Sequence, residues 1–126
     1  MISIRNASLL AGSKSLRLLL SKMPKYRNLL YTSDYIADET VALLTARRMT
    51  HKIKDFIYVI NNSKSLKIQF MDPDIFSVAL QFISKRLNQG YSFTDVTSFV
   101  IMEPLKIKHA LTSDGHFLVA GFKMIG

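Results

Sequence analysis

Short apolar segments alternate with stretches of helical periodicity along the chain, and this alternation limits the fold more than any other feature of the sequence. Ile2–Arg5 with Leu9–Leu10, Leu29–Thr32, Leu66–Phe70, Ile107–Thr112 and Phe122–Ile125 read as short strands, the first turning at Gly12–Ser13. Between them, Lys14–Met23 places Leu16, Leu19 and Leu20 on one helical face and stops at Pro24. A long helix capped by Thr32 or Ser33 carries Ile36, Thr40, Leu43 and Leu44 on one side. His51–Asn61 sets Ile53, Phe56, Ile57 and Ile60 at helical spacing, with Tyr58 and Val59 beside them; that face is core, part of it open to forming a dimer surface. Asp72–Pro73 starts a helix running to Leu87, and Thr94 is placed to cap another from Asp95 to Met102, ahead of Pro104. Strands alternating with helices predict an α/β fold: a three-layer α/β/α sandwich around a central, mostly parallel sheet.

The chain has 126 residues, room for a single domain over 1–126 and no second core. Hydrophobic residues make up 48% of it, too many for a disordered tail. No apolar run approaches the roughly 20 residues that cross a bilayer, and Met1–Leu10 lacks the pattern of a secretory signal. The expectation is a soluble cytoplasmic protein without a membrane partner. There are no cysteines, which excludes disulfides, thiolate zinc sites and a cysteine nucleophile. His51, His109 and His116 show no metal-binding spacing, so any metal is expected to be a hard cation held by carboxylates.

Seventeen lysines and arginines against nine acids give a net charge of +8, a balance that favours nucleic acid or an acidic protein partner. Arg47, Arg48, Lys52 and Lys54 concentrate that charge at a helix junction, where they either track phosphates or form a solvated face.

In parallel sheets the functional site lies beyond the carboxyl ends of the strands. Three acids stand there. Asp114 follows the strand Ile107–Thr112, Asp95 opens a helix after the loop Asn88–Phe93, and Glu39 lies on the helix after Leu29–Thr32. Each also has a plainer explanation: Asp95 complements the helix dipole, Asp-Gly forms turns, and Glu39 is a solvated helix residue.

Tyr31-Thr-Ser-Asp-Tyr-Ile-Ala-Asp-Glu39-Thr-Val, Tyr91-Ser-Phe-Thr-Asp95-Val-Thr-Ser-Phe-Val and Leu111-Thr-Ser-Asp114-Gly-His-Phe, followed by Gly121-Phe122, resemble in order and spacing the second, third and closing acidic motifs of the PIN-domain family. The resemblance covers about Tyr31 to Phe122. It implies a PIN-like sandwich and a VapC-like toxin ribonuclease, whose acids hold Mg2+ or Mn2+ and which cleaves single-stranded RNA. It also implies a small antitoxin partner and a homodimer. By the same resemblance Glu39, Asp95 and Asp114 are the catalytic and metal-holding residues. Thr94 and Thr112 either support those carboxylates or, for Thr94, cap a helix.

The family's first motif is an aspartate at the end of the first strand, and the best local match, Arg5-Asn6-Ala7-Ser8, puts Asn6 there. An amide keeps an oxygen for a metal but loses the charge, and Asn6 alternatively serves as a turn residue. Two functions follow: an active metal-dependent endoribonuclease, or a degenerate PIN domain that binds RNA or protein without cutting. His116 is expected to pack beside Phe117 and not to be a ligand.

Overall fold

The structure, a computed structural model, describes residues 8–11, 29–112 and 114–125. Its elements in chain order are β1 (Ser8–Leu10), β2 (Leu30–Ser33), α1 (Asp34–Ala46), α2 (Thr50–Asn62), β3 (Leu66–Gln69), α3 (Pro73–Ser84), a 3-10 turn (Leu87–Gln89), α4 (Phe93–Met102), β4 (His109–Leu111), α5 (His116–Val119) and β5 (Lys123–Ile125). The expected segment Ile2–Arg5, the turn Gly12–Ser13, the helix Lys14–Met23 and Pro24 lie outside the described residues.

All the strand pairs are parallel, in the order β3-β2-β1-β4-β5. The chain leaves central β1 in one direction to β2 and β3, then continues through β4 and β5 on the other side. Right-handed crossovers running in opposite directions from a central strand carry their helices to opposite faces, which gives the three-layer α/β architecture. The reversal between β1 and β4 opens a crevice at the carboxyl ends of these strands.

Local chemistry sets most of the boundaries. Ser33 ends β2 with extended backbone, and its Oγ accepts the Ile36 N–H at 3.1 Å, so it is the cap of α1. Asp72 does the same for α3, accepting from Ile75 N at 2.8 Å, with Pro73 in the first turn where its missing N–H costs nothing. Asp34 accepts from its neighbour Tyr35 N and from Met71 N, both at 3.0 Å, which ties the start of α1 to the loop after β3.

Four expectations are corrected. The helix from Asp72 stops at Ser84, and Leu87 falls in the 3-10 turn, 75% exposed. Ser92, not Thr94, caps α4, which starts two residues before Asp95. On α2 it is Val59 that is buried with Phe56, while Ile57 is half exposed. The strand expected over Ile107–Thr112 is shorter, His109–Leu111, and follows a positive φ of 57° at Lys106.

The main core joins β1, β4, α4 and α5 around Phe99. Its ring meets Tyr91 and Phe117 edge-on at 5.1 Å each and stacks on Phe122 at 5.5 Å. Burying one such ring contributes roughly 1.5–3 kcal/mol. This aromatic layer forms the base beneath the crevice. A smaller cluster of Leu44 and Phe56, with Met49, Ile53 and Ile60, holds α1 against α2.

Candidate metal centre

Three segments converge on the crevice. The first is the turn after β4. Thr112 is buried, and its Oγ1 accepts the Asp114 N–H at 3.1 Å. Asp114 Oδ1 in turn accepts the His116 N–H at 2.9 Å. Two short-range side-chain-to-backbone bonds therefore fix the direction of Asp114 without a regular strand to support it.

The second segment is the first turn of α4. Ser92 Oγ accepts from Asp95 N at 3.0 Å while Asp95 Oδ2 accepts from Ser92 N at 3.1 Å, a reciprocal capping box. Asp95 is only 7% exposed. Burial is the main reason its carboxyl is held above the ordinary range. The Asp114 charge adds to that, and the Ser92 hydrogen bonds and His116 oppose it.

The third is α1, which brings Glu39. Its carboxyl is also held above the ordinary range, first by burial and then by the charges of Asp95, Asp114 and Asp38, against a hydrogen bond from the Thr94 side chain. Thr94 thus does not cap the helix, and its side chain lies within reach of the Glu39 carboxyl. The structure sets Glu39, Asp95 and Asp114 within electrostatic reach of one another, although they come from distant parts of the chain.

The tightest group is not those three acids. Ligand atoms of Asp95, Asp114 and His116 lie within 4.8 Å of one another. His116 Nδ1 stands 2.9 Å from Asp114 Oδ1 and 3.7 Å from Asp95 Oδ2. The 2.9 Å approach lacks hydrogen-bond geometry, so Nδ1 is buried without a hydrogen-bond partner. The ring packs edge-on against Tyr91 at 5.8 Å. Gly90, at a φ of 72°, turns the chain from the 3-10 segment into Tyr91. His116 therefore packs as the sequence predicts, against Tyr91, and at the same time stands beside the two carboxylates. The signal that points to it is its spacing, two residues beyond a carboxylate that follows a strand.

The basic residues expected to meet RNA lie apart from this cluster. Arg47 and Arg48 are exposed at the far end of α1, eight residues from Glu39, or about 12 Å along the helix axis. Lys52 follows on α2. Asn6, the expected counterpart of the first-motif aspartate, lies outside the described residues.

A cavity of about 420 Å3 between α3 and α4 is lined largely by apolar side chains, including Val78, Phe82, Val100 and Phe122. It shares none of the cluster's ligand residues, and its two carboxylates, Asp74 and Glu103, stand in otherwise apolar walls. The crevice acids lie outside this cavity. Two buried or half-buried carboxylates and an orphaned imidazole nitrogen form a donor set that fits a divalent cation. Such an ion offsets both the mutual repulsion and the burial that raise the carboxyl groups.

No protein-family model matches the chain. The 23S rRNA-specific endonuclease VapC20 of two Mycobacterium tuberculosis strains is 32% identical over 106 residues, covering 84% of this chain and 77% of that protein. A VapC ribonuclease of Archaeoglobus fulgidus is 31% identical over 80 residues, 63% of this chain and 50% of that one. The crystal structure of M. tuberculosis VapC20, described as a sarcin-ricin-loop-cleaving toxin, matches with a TM-score of 0.75 at 25% identity, covering 91% of this chain and 96% of that one.

Proposed function

The chain belongs to the VapC-like PIN-domain toxin ribonucleases, and from that premise we propose that it hydrolyses phosphodiester bonds of single-stranded RNA with a divalent cation held by Glu39, Asp95 and Asp114. The observation that carries this reading is the convergence of these acids from three distant segments on one crevice. The cation is Mg2+ or Mn2+, which carboxylates suit. Bound there, it supplies a water activated near neutral pH and neutralises charge on the reacting phosphate.

The chain's own groups do the rest. Ser92 aims Asp95, Thr112 aims Asp114, and the Thr94 hydroxyl steadies Glu39. The net charge of +8 draws an RNA backbone toward an otherwise acidic pocket. Arg47, Arg48 and Lys52 contact phosphates away from the scissile bond. The whole of 1–126 works as one domain in the cytoplasm; among the described residues no helix is long and apolar enough to cross a membrane. A small antitoxin restrains it. Exposed Ile57 and Tyr58 on α2, at 50% and 69%, supply part of a homodimer surface.

A second reading has one observation in its favour. Among the described residues, β1 ends at Leu10 and is followed by Ala11, neither of which brings a carboxylate to the crevice, and the chain is then a PIN domain that binds RNA without cutting. The two readings separate in one assay. Labelled single-stranded RNA and a sarcin-ricin hairpin, the target of the relative, are incubated with metal-free protein, with Mg2+ or Mn2+, and with Asp95→Asn. Cleavage that needs the cation and disappears in Asp95→Asn supports the enzyme. Retained RNA binding without cleavage under every condition supports the binding module.

A further inference from the structure

We infer that His116 is a nitrogen ligand of the cation held by Asp95 and Asp114, and that it shifts the site's preference from Mg2+ toward Mn2+. This inference rests on the metal-dependent reading above and adds to its carboxylate set a residue of a different chemical class.

The first support is an unmet requirement. Nδ1 of His116 is buried and makes no hydrogen bond, and an unsatisfied buried polar atom costs about 1–3 kcal/mol. The ring as a whole is 41% exposed, so its edge could face solvent, yet this atom faces the acids. The second support is spacing. Donors at about 2.1 Å from one ion stand about 3.0 Å apart when adjacent and about 4.2 Å apart when opposite. The Nδ1 distances of 2.9 Å to Asp114 Oδ1 and 3.7 Å to Asp95 Oδ2 lie at or between those limits.

The third support is preorganisation. The His116 backbone N–H is held by Asp114 Oδ1, and the ring leans on Tyr91, which is itself held edge-on by Phe99. These contacts set the imidazole before any ion arrives. An imidazole nitrogen on this side of the crevice adds a further donor to the carboxylate set. Imidazole favours transition metals, whereas Mg2+ demands oxygen. A mixed nitrogen and oxygen set accordingly favours Mn2+ over Mg2+.

The test is pulsed electron paramagnetic resonance on the full chain loaded with Mn2+, together with titration of Mn2+ and Mg2+. The wild-type spectrum is expected to show coupling to an imidazole nitrogen. That coupling disappears in His116→Gln and persists in the double variant His51→Gln/His109→Gln. Mn2+ affinity falls about tenfold or more in His116→Gln, and Mg2+ affinity falls less. If His116→Gln does not fold, the wild-type and double-variant spectra decide. Mn2+ bound to wild type in an Asp95-dependent way, but with no nitrogen coupling, overturns the inference and leaves the metal-dependent reading intact. No Mn2+ binding by wild type overturns both.

Discussion

Ser92 and Asp95 exchange hydrogen bonds in both directions, the hydroxyl accepting from the Asp95 N–H at 3.0 Å and the carboxylate from the Ser92 N–H at 3.1 Å. One pair of contacts thus starts α4 and aims a buried carboxylate at the crevice. Structure and chemistry share these two residues, and substitutions in them are expected to separate the two roles.

Ser92→Ala removes the cap acceptor and leaves the Ser92 backbone N–H bond to Asp95 in place. The expected loss of stability is about 1 kcal/mol, the ordinary cost of an N-cap, read as a lower unfolding midpoint in urea. Divalent-cation affinity falls more modestly than in Asp95→Asn. An unchanged midpoint would show that the box contributes nothing to α4.

Asp95→Asn keeps an oxygen for the Ser92 N–H but removes a charge that burial and Asp114 both disfavour. In metal-free buffer at neutral pH the variant is expected to be at least as stable as wild type, while RNA cleavage is lost. Thermal melts and a cleavage assay on the same preparations check both halves.

The raised carboxyls of Glu39 and Asp95 fix the sign of a pH dependence. A carboxyl whose pKa is higher in the fold than in the unfolded chain makes the folded state bind its proton more tightly. Its contribution favours the fold below the ordinary carboxylate range, from about pH 4 downward, and is lost as pH rises through the raised value. In the absence of metal, the stability of wild type relative to Asp95→Asn should therefore decline as pH rises from about 4 toward neutral. Added Mn2+ should raise the melting temperature at neutral pH and have little effect near pH 4, where protons compete for the ligands. Melts across that range, with and without Mn2+, read the effect directly; a metal-induced rise of equal size at both ends would contradict it.

Arg47→Ala/Arg48→Ala leaves the crevice untouched, because these residues sit at the far end of α1. The expected outcome is weaker RNA binding, seen as a higher KM and a shallower salt dependence, with kcat unchanged. A matching fall in kcat would place the pair nearer the reacting bond than the structure does.

The fold was open to sequence reading wherever apolar spacing carried it. Leu29–Thr32 and Leu66–Phe70 read as strands because short apolar runs between turn residues have few other uses, and each lies within a residue of β2 and β3. The cap of α4 was not readable in this way. Ser92 and Thr94 are both good capping residues, and only the three-residue reach to Asp95 chooses Ser92. On α2 Val59 is buried and Ile57 is exposed, a rotation that periodicity alone does not determine. Asp114 and Asp95 stand out in the sequence because acids at strand ends and helix starts are few. His116 does not, because its place beside the acids depends on the turn built by Thr112 and Asp114 and on Tyr91 arriving from another part of the chain.

Calorimetric titration of Mn2+ into the metal-free full chain tests the central claim most directly, since everything rests on acids from separate segments sharing one ion. The account predicts a stoichiometric site in wild type that is abolished by Asp95→Asn and by Asp114→Asn separately, and weakened by Glu39→Gln. Equal Mn2+ binding in wild type and in both aspartate variants would contradict it.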